Sequence, residues 1–241
     1  MAATPIVPRL RFRPPLWATL LTLLGVALTL AAGYWQLDRA SQKTALQAEQ
    51  DRRAAEPVSS LPASLVPADA MLHRRVRVTG RFAPAHTIYL DNRIHDGRAG
   101  YHVLTPLGIG GGARHVLVNR GWVAGSGRRD QLPAVATPAG DVTVEGIVAS
   151  ATPRVVELAQ ETVQGQVWQN LHFDRYQAGV PFPLQPFVLL QTSDAGDGLV
   201  RDWPRPDARI SVHLGYAGQW FLFCALIVVL YVVLNLRRRP A

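Results

Sequence analysis

Two long apolar segments, one near each end of the chain, limit its possible folds more than any other feature of the sequence. The first covers residues 16–37 and the second covers residues 216–236, and neither contains a charged side chain. At a helical rise of about 1.5 Å per residue they extend roughly 33 and 31 Å, enough to cross the hydrocarbon core of a bilayer. The sequence therefore predicts two transmembrane helices.

Interfacial aromatic residues support this prediction. Trp17 and Trp35 lie near the two ends of the first segment, and Tyr216 and Tyr231 lie near the ends of the second. The alternative for the first segment is a cleavable signal peptide, because basic residues precede it. However, the segment is long for a signal peptide, and no small-x-small cleavage site precedes a polar stretch.

The arginines at the two ends predict the orientation. Each end carries three arginines and no acidic residue close to an apolar segment, so the positive-inside rule places both ends in the cytoplasm. The residues between the segments must then lie outside. The scarcity of lysine, with arginine and alanine abundant, indicates a GC-rich bacterial genome and hence the inner membrane, with the central domain in the periplasm. The arginines are Arg9, Arg11, Arg13, Arg237, Arg238 and Arg239.

The predicted organisation has six parts. They are a tail (1–15), a transmembrane helix (16–37), a helical extension and linker (38–70), a β-rich extracytoplasmic domain (71–215), a second transmembrane helix (216–236) and a tail (237–241). Short β-rich runs separated by turn residues predict eight strands, at 74–82, 86–93, 100–107, 114–123, 141–150, 166–171, 187–192 and 208–214. Such a series is typical of an antiparallel barrel or sandwich. Short helices are expected at 154–163 and 173–179.

Composition excludes several functional classes. The net charge is +8, but six of the 25 basic residues lie in the tails. The middle of the chain is therefore nearly balanced and lacks the basic surface of a nucleic-acid-binding protein. The single cysteine, Cys224, cannot form an intrachain disulfide or a thiolate metal site. No phosphate-binding loop, dinucleotide fingerprint, serine-hydrolase elbow or zinc-protease motif is present, so an enzyme is not expected.

A few residues remain as candidates for binding. His213 lies just before the second apolar segment, and if the helix starts early it shares a face with Ala217 and Trp220. A neutral imidazole there could ligate haem iron, although a lone interfacial histidine usually forms only hydrogen bonds. Arg201 and Arg205 lie in a proline-stiffened loop and could pair with haem propionates or with a partner's acids. The alternative is a structural loop in which Arg201 and Asp202 are solvated or paired with each other.

Other polar groups have simpler interpretations. Asp194 and Asp197 could form a carboxylate pair, but they flank Gly196 and are better explained as turn formers. His102 and His115 fall in predicted strands and are expected to be structural or surface residues.

Several short motifs, taken in their order along the chain, resemble those of the Surfeit locus family of cytochrome oxidase assembly proteins. The yeast member of this family is called Shy. The motifs are GYWQL (33–37), VTGRF (78–82), LDNR (90–93), GYHVLTPL (100–107), VLVNRGWV (116–123), LVRDWPRP (199–206) and H-x-x-Y-A-x-Q-W-F (213–221). Individually they are weak signals, but the ordered set is specific.

This resemblance implies a function that is not enzymatic. Members of the family assist maturation of the catalytic subunit of haem-copper oxidases, at the step of haem a insertion. The resemblance implies that His213 is a candidate haem a ligand. It also implies that the catalytic subunit and the haem a synthesis machinery are partners. The client is then a cytochrome c or a quinol oxidase. Two alternatives stay open: a membrane-anchored scaffold or sensor without a cofactor, and an anchored hydrolase or transferase.

Overall fold

The computed structural model describes residues 10–126, 131–151, 163–203 and 209–238. The chain divides into two compact units: a helical unit, Met1–Ala48 with Pro206–Ala241, and a sheet unit, Glu49–Arg205. The helices are α1 (Leu16–Ala55), α2 (Ala68–Met71), α3 (Phe173–Ala178) and α4 (Ile210–Asn235). The strands are β1 (Leu10–Phe12), β2 (Ser59–Ser60), β3 (Arg75–Arg81), β4 (Ile88–His95), β5 (Arg98–Gly108), β6 (His115–Ala124), β7 (Asp141–Ser150), β8 (Val163–Gln164), β9 (Val167–Trp168), β10 (Leu184–Gln191) and β11 (Leu236–Arg238).

Two long apolar helices form the helical unit. Helix α1 continues without a break through the predicted span and its extension, and α4 contains residues 216–235 of the second predicted span. Most of their large apolar side chains point outward, such as Leu24 at 57% and Leu222 at 66% exposure. Outward-facing apolar surface of this extent suits lipid better than water.

The two helices pack antiparallel along their length. The hydroxyl oxygens of Thr19 and Tyr231 lie 2.7 Å apart near one end. Further along, Gly33 lies against Phe221: a Cβ at Gly33 would be 2.8 Å from the ring. Small residues commonly allow this close approach between membrane helices, since packing there must supply most of the attraction.

Two short strands pair at one end of the helical unit. Strands β1 and β11 are antiparallel, with Arg11 opposite Arg237. These two arginine positions, one before α1 and one after α4, therefore lie side by side.

One predicted strand is wrong. Residues 210–214 alternate apolar and polar side chains, which favours a strand, but they form the first turns of α4, which begins at Ile210. A helix satisfies its own backbone hydrogen bonds, and an isolated strand leading into a membrane span would not. The early start places His213 within the helix.

In its described residues, the sheet unit contains one mixed sheet of nine strands, in the order β2-β3-β7-β10-β6-β5-β4-β9-β8. The pairs β2–β3, β6–β10 and β4–β9 are parallel, and the other neighbours are antiparallel. The predicted fold class, a β-rich domain with short helices between two terminal apolar helices, is confirmed. The predicted helix at 173–179 corresponds to α3, and the one at 154–163 falls almost entirely outside the described residues.

Five of the strands close into a ring around an apolar core. The end of β3 returns to β5, where Phe82 bridges Leu107 and the Gly110 N–H donates to the Thr79 carbonyl oxygen at 2.8 Å. Strands β3, β7, β10, β6 and β5 therefore encircle one cluster of buried side chains. Its members include Val76, Val78, Leu107, Val116, Val118, Val144, Val148, Phe187 and Leu189. A second cluster brings buried residues of β4, β5, β6 and β10 together with Tyr176 of α3.

We expect Gly33→Ala to loosen the helix pair, because its Cβ would overlap the Phe221 ring. Overpacking of this kind typically costs about 1–3 kcal/mol. The measurement is the thermal unfolding midpoint of the full chain in lipid nanodiscs. Gly218→Ala is the matched control, since nothing lies within 4 Å of a Cβ at that position. Equal midpoints for the two variants would contradict the proposed contact.

Candidate functional site

A hydrogen bond between the helices organises the end of the helical unit away from β1 and β11. The His213 Nδ1 lies 2.7 Å from the Gln36 Oε1. His213 is in the first turn of α4, and Gln36 is in α1 just before Asp38 and Arg39, the first charged residues after the apolar segment. The half-buried imidazole therefore lies where the apolar part of the helix pair ends.

This contact favours one tautomer of the imidazole. An amide oxygen only accepts hydrogen bonds, so the contact with the Gln36 Oε1 is a hydrogen bond in the tautomer whose Nδ1 carries the proton. In the neutral ring the lone pair is then on Nε2. This is the form in which histidine binds metals, with the other nitrogen donating to an oxygen of the protein.

Trp220 lies two turns further along α4 than His213, on the same side of the helix, with the buried Ala217 between them. Its ring packs edge-to-face against Phe223, with a centroid distance of 6.0 Å. The separation from His213 along the helix axis is about 10 Å, at the usual rise per residue.

Arg201 belongs to the sheet unit and is engaged within it. Its guanidinium donates to the Asp197 Oδ1 at 2.6 Å and to the Leu199 carbonyl oxygen at 3.2 Å, and its side chain is 10% exposed. The loop alternative therefore describes Arg201 well: its partner is Asp197, and Asp202 is exposed. Arg205 lies outside the described residues.

Arg120 completes a buried ion network that includes Asp197. The guanidinium of Arg120 donates to the Asp197 Oδ2 at 2.9 Å, to the Thr137 hydroxyl at 2.7 Å and to the Ala136 carbonyl oxygen at 2.7 Å. The side chains of Arg120 and Asp197 are 1% and 3% exposed. Asp197 thus lies between two arginines and also accepts the Leu199 N–H, which confirms the predicted turn role.

Two opposing effects act on the pKa of Asp197. Burial alone would raise it, but the hydrogen bonds and positive charge of Arg201, with the donors of Leu199 and Arg120, outweigh burial and hold the pKa below its ordinary value of 3.8. The carboxylate therefore stays ionised and balances one of the two arginine charges.

A glycine allows the loop that carries Asp197 and Arg201 to dock on β6. Gly121 has φ +143°, and a Cβ there would lie 2.8 Å from Leu199 Cβ and from the Val200 carbonyl oxygen. Trp122 and Val200 exchange two backbone hydrogen bonds of 2.7 and 2.9 Å.

The sequence interpretation missed the role of Arg120. The available signal was a charged residue in a strand composed mainly of apolar residues.

Trp203, in the same loop, packs against His102, a histidine that stays neutral. Trp203 donates to the Gln191 carbonyl oxygen at 2.7 Å, and its ring lies 5.5 Å from that of His102. Burial, and secondarily the charge of Arg93, lowers the pKa of His102 to about 4. Its Nδ1 lies 3.4 Å from the Asn119 amide nitrogen, which fits an unprotonated acceptor. His102 therefore has the structural role that was predicted.

The sequence between residues 23 and 225 matches the SURF1 family. The chain belongs to the SURF1 family. It is 24% identical to a SURF1-like protein of Rickettsia felis over 220 residues, covering 89% of this chain and 95% of that protein. It is 25% identical to the Surfeit locus protein 1 of Mus musculus over 236 residues, covering 90% and 76%. A SURF1-like protein of Rickettsia bellii is 25% identical over 218 residues, covering 88% of each chain.

The SURF1 family is a family of cytochrome oxidase assembly factors and not of catalysts. With its two apolar helices, this SURF1 chain is a membrane protein. Across the described ranges 10–126, 131–151, 163–203 and 209–238, no three histidine, cysteine or acidic side chains gather into a metal-binding group.

Asp197→Asn is expected to destabilise the sheet unit, because two buried arginines would lose their common counter-charge. Breaking a buried ion pair in this way costs ~3–5 kcal/mol. The measurement is the guanidinium unfolding curve of the full chain, followed by near-UV circular dichroism. Asp194→Asn is the control, since that side chain is 92% exposed and 3.7 Å from Arg201. A similar small loss in both variants would show that the network contributes little.

Acidification is expected to weaken the fold through His102. Because its folded pKa of about 4 lies below the ordinary 6.5, the unfolded chain binds more protons than the native one between these values. The contribution of neutral His102 is complete above pH 6.5 and is lost as the pH falls toward 4. Thermal unfolding midpoints at pH 7 and pH 5 should differ less in His102→Gln and His102→Phe than in the wild type. An unchanged difference in both variants would contradict this assignment.

Proposed function

We propose that this chain assists assembly of a haem-copper terminal oxidase by holding haem a during its insertion into, or stabilisation of, the catalytic subunit. The observation that carries the proposal is the 2.7 Å contact between His213 Nδ1 and Gln36 Oε1. It leaves the Nε2 lone pair available as an iron ligand at the end of an apolar helix pair. Haem a is then a transient cargo, and the family membership supports the link to the oxidase.

The proposed topology has two membrane spans, with both ends in the cytoplasm and the sheet unit in the periplasm. The pairing of β1 with β11, which brings Arg11 opposite Arg237, supports a common side for the two basic ends. By the positive-inside rule that side is the cytoplasm. His213, at the other end of the helices, would then lie at the outer surface of the bacterial inner membrane, in contact with membrane lipid.

The residues of this chain differ in how well they suit the cargo. His213 suits the iron, and Trp220 in α4 offers an aromatic surface to the apolar macrocycle. Arg201 suits a propionate poorly, because it already donates to Asp197 and Leu199. We therefore assign Arg201 to the structure of the loop. Arg205 remains a candidate partner for a propionate.

A second candidate function is a membrane-anchored scaffold that binds the oxidase subunit and no cofactor. The buried pairing of Arg201 with Asp197 favours it, since it removes one expected contact to haem. In this case the sheet unit supplies the partner surface, and His213 only links the helices. The two candidates differ in whether the purified protein carries haem.

In a strain without this gene, we expect the haem a content of the oxidase to fall and the wild-type gene to restore it. The His213→Ala variant should restore much less, and the purified variant should lack the haem absorption of the wild type. Ser211→Ala, an exposed residue on the same turn of α4, is the control and should behave as the wild type.

Three results would count against the proposal. Unchanged haem a content in the deletion strain would refute the assembly function. Equal haem in wild type and His213→Ala would refute ligation by His213. Restored assembly by a wild-type protein that never carries haem would favour the scaffold.

A further inference from the structure

We infer that Gln36 is a positioning residue that keeps the imidazole of His213 in the Nδ1-protonated form, with Nε2 as its open ligand atom. The inference rests on the proposed function insofar as the ligand is haem iron. The control of the His213 imidazole by Gln36 involves only residues of this chain.

The Gln36 Oε1 is in contact with the His213 Nδ1. Neutral imidazole carries one proton, and the hydrogen bond made by one nitrogen decides which nitrogen is left as the acceptor. The Gln36 Oε1 lies 2.7 Å from Nδ1, a short distance for a hydrogen bond between neutral groups. Gln36 thus acts on His213 as the oxygen partners of metal-binding histidines act, fixing both the proton and the plane of the ring.

The packing of α1 against α4 holds Gln36 in place. Gln36 lies one turn after Gly33 on α1, so both residues face α4. The absent side chain at Gly33 lets the Phe221 ring approach the α1 backbone. This close contact keeps the two helices within reach of a single side-chain hydrogen bond. The interhelical packing therefore delivers the acceptor to His213.

A rival explanation is that the hydrogen bond only fastens the two helices together. Both explanations predict a less stable Gln36→Leu variant, so stability cannot separate them. Only the positioning role predicts a change in the protonated nitrogen of His213 and in the affinity of Nε2 for iron.

The test uses the full chain in lipid nanodiscs, with nitrogen-15-labelled histidine and no haem. We expect Nδ1 of His213 to be protonated in the wild type and in Gln36→Glu, whose carboxylate also accepts. In Gln36→Leu this preference should disappear. Gln42→Leu is the matched control, because Gln42 is exposed on the same helix and bonds only to Asp38 and Arg39 in the described structure.

A titration with purified haem a gives the second measurement. We expect Gln36→Leu to bind haem a about 10- to 100-fold more weakly than the wild type, as when oxygen partners of metal-binding histidines are removed. Gln42→Leu should match the wild type.

The outcomes separate the two proposals. An unchanged His213 spectrum in Gln36→Leu overturns the positioning role, whether or not haem binds. A shifted spectrum in a protein whose wild type binds no haem a supports the control of His213 by Gln36 and overturns the haem proposal. A shifted spectrum with weaker haem binding supports both.

Discussion

The close packing of α1 against α4 determines the arrangement of the candidate ligand. Lipid offers little hydrophobic driving force between two apolar helices, so their association depends on van der Waals contact and a few interhelical hydrogen bonds. Gly33 supplies the close contact by exposing backbone to the Phe221 ring. The two hydrogen bonds that follow from this register, Thr19 with Tyr231 and Gln36 with His213, lie toward opposite ends of the pair. A wider separation of the helices would break the second bond and free the imidazole.

The sheet unit has a different organising interaction, the buried network of Arg120, Asp197 and Arg201. Burying charges is costly unless they are paired and hydrogen-bonded, and here each charged group has several partners. The network links β6 to the loop before α4, and Trp203 then secures the same loop on Gln191. An arginine that looks available in the sequence is therefore committed to the fold.

These two arrangements fit a SURF1-family assembly factor. Within the region that matches the family, residues 116–123 and the loop residues 199–203 meet through the Trp122–Val200 bridge in the sheet unit. The proposed chemistry uses a single imidazole with a fixed tautomer, and it needs no nucleophile or general base. A protein that holds a cargo and passes it on gains from one accessible ligand atom and a rigid support.

The sequence alone determined the features that depend on local composition and period. Segments of about 20 uncharged apolar residues predicted the helices, and alternation in β3 and β7 predicted strands whose outer faces carry Arg77 and Glu145. It also predicted that His213 precedes the second span. At residues 210–214 the alternation of apolar and polar side chains wrongly favoured a strand. These residues are helical because they continue the membrane helix α4.

Only the tertiary structure decided which distant residues meet. Gln36 and His213 are 177 positions apart, and Arg120 and Asp197 are 77 positions apart. No local pattern encodes such pairs, because they arise from helix packing, from the return of β3 to β5 and from the docking of a loop through Gly121. The engagement of Arg201 follows from these contacts, and so does the tautomer that we propose for His213.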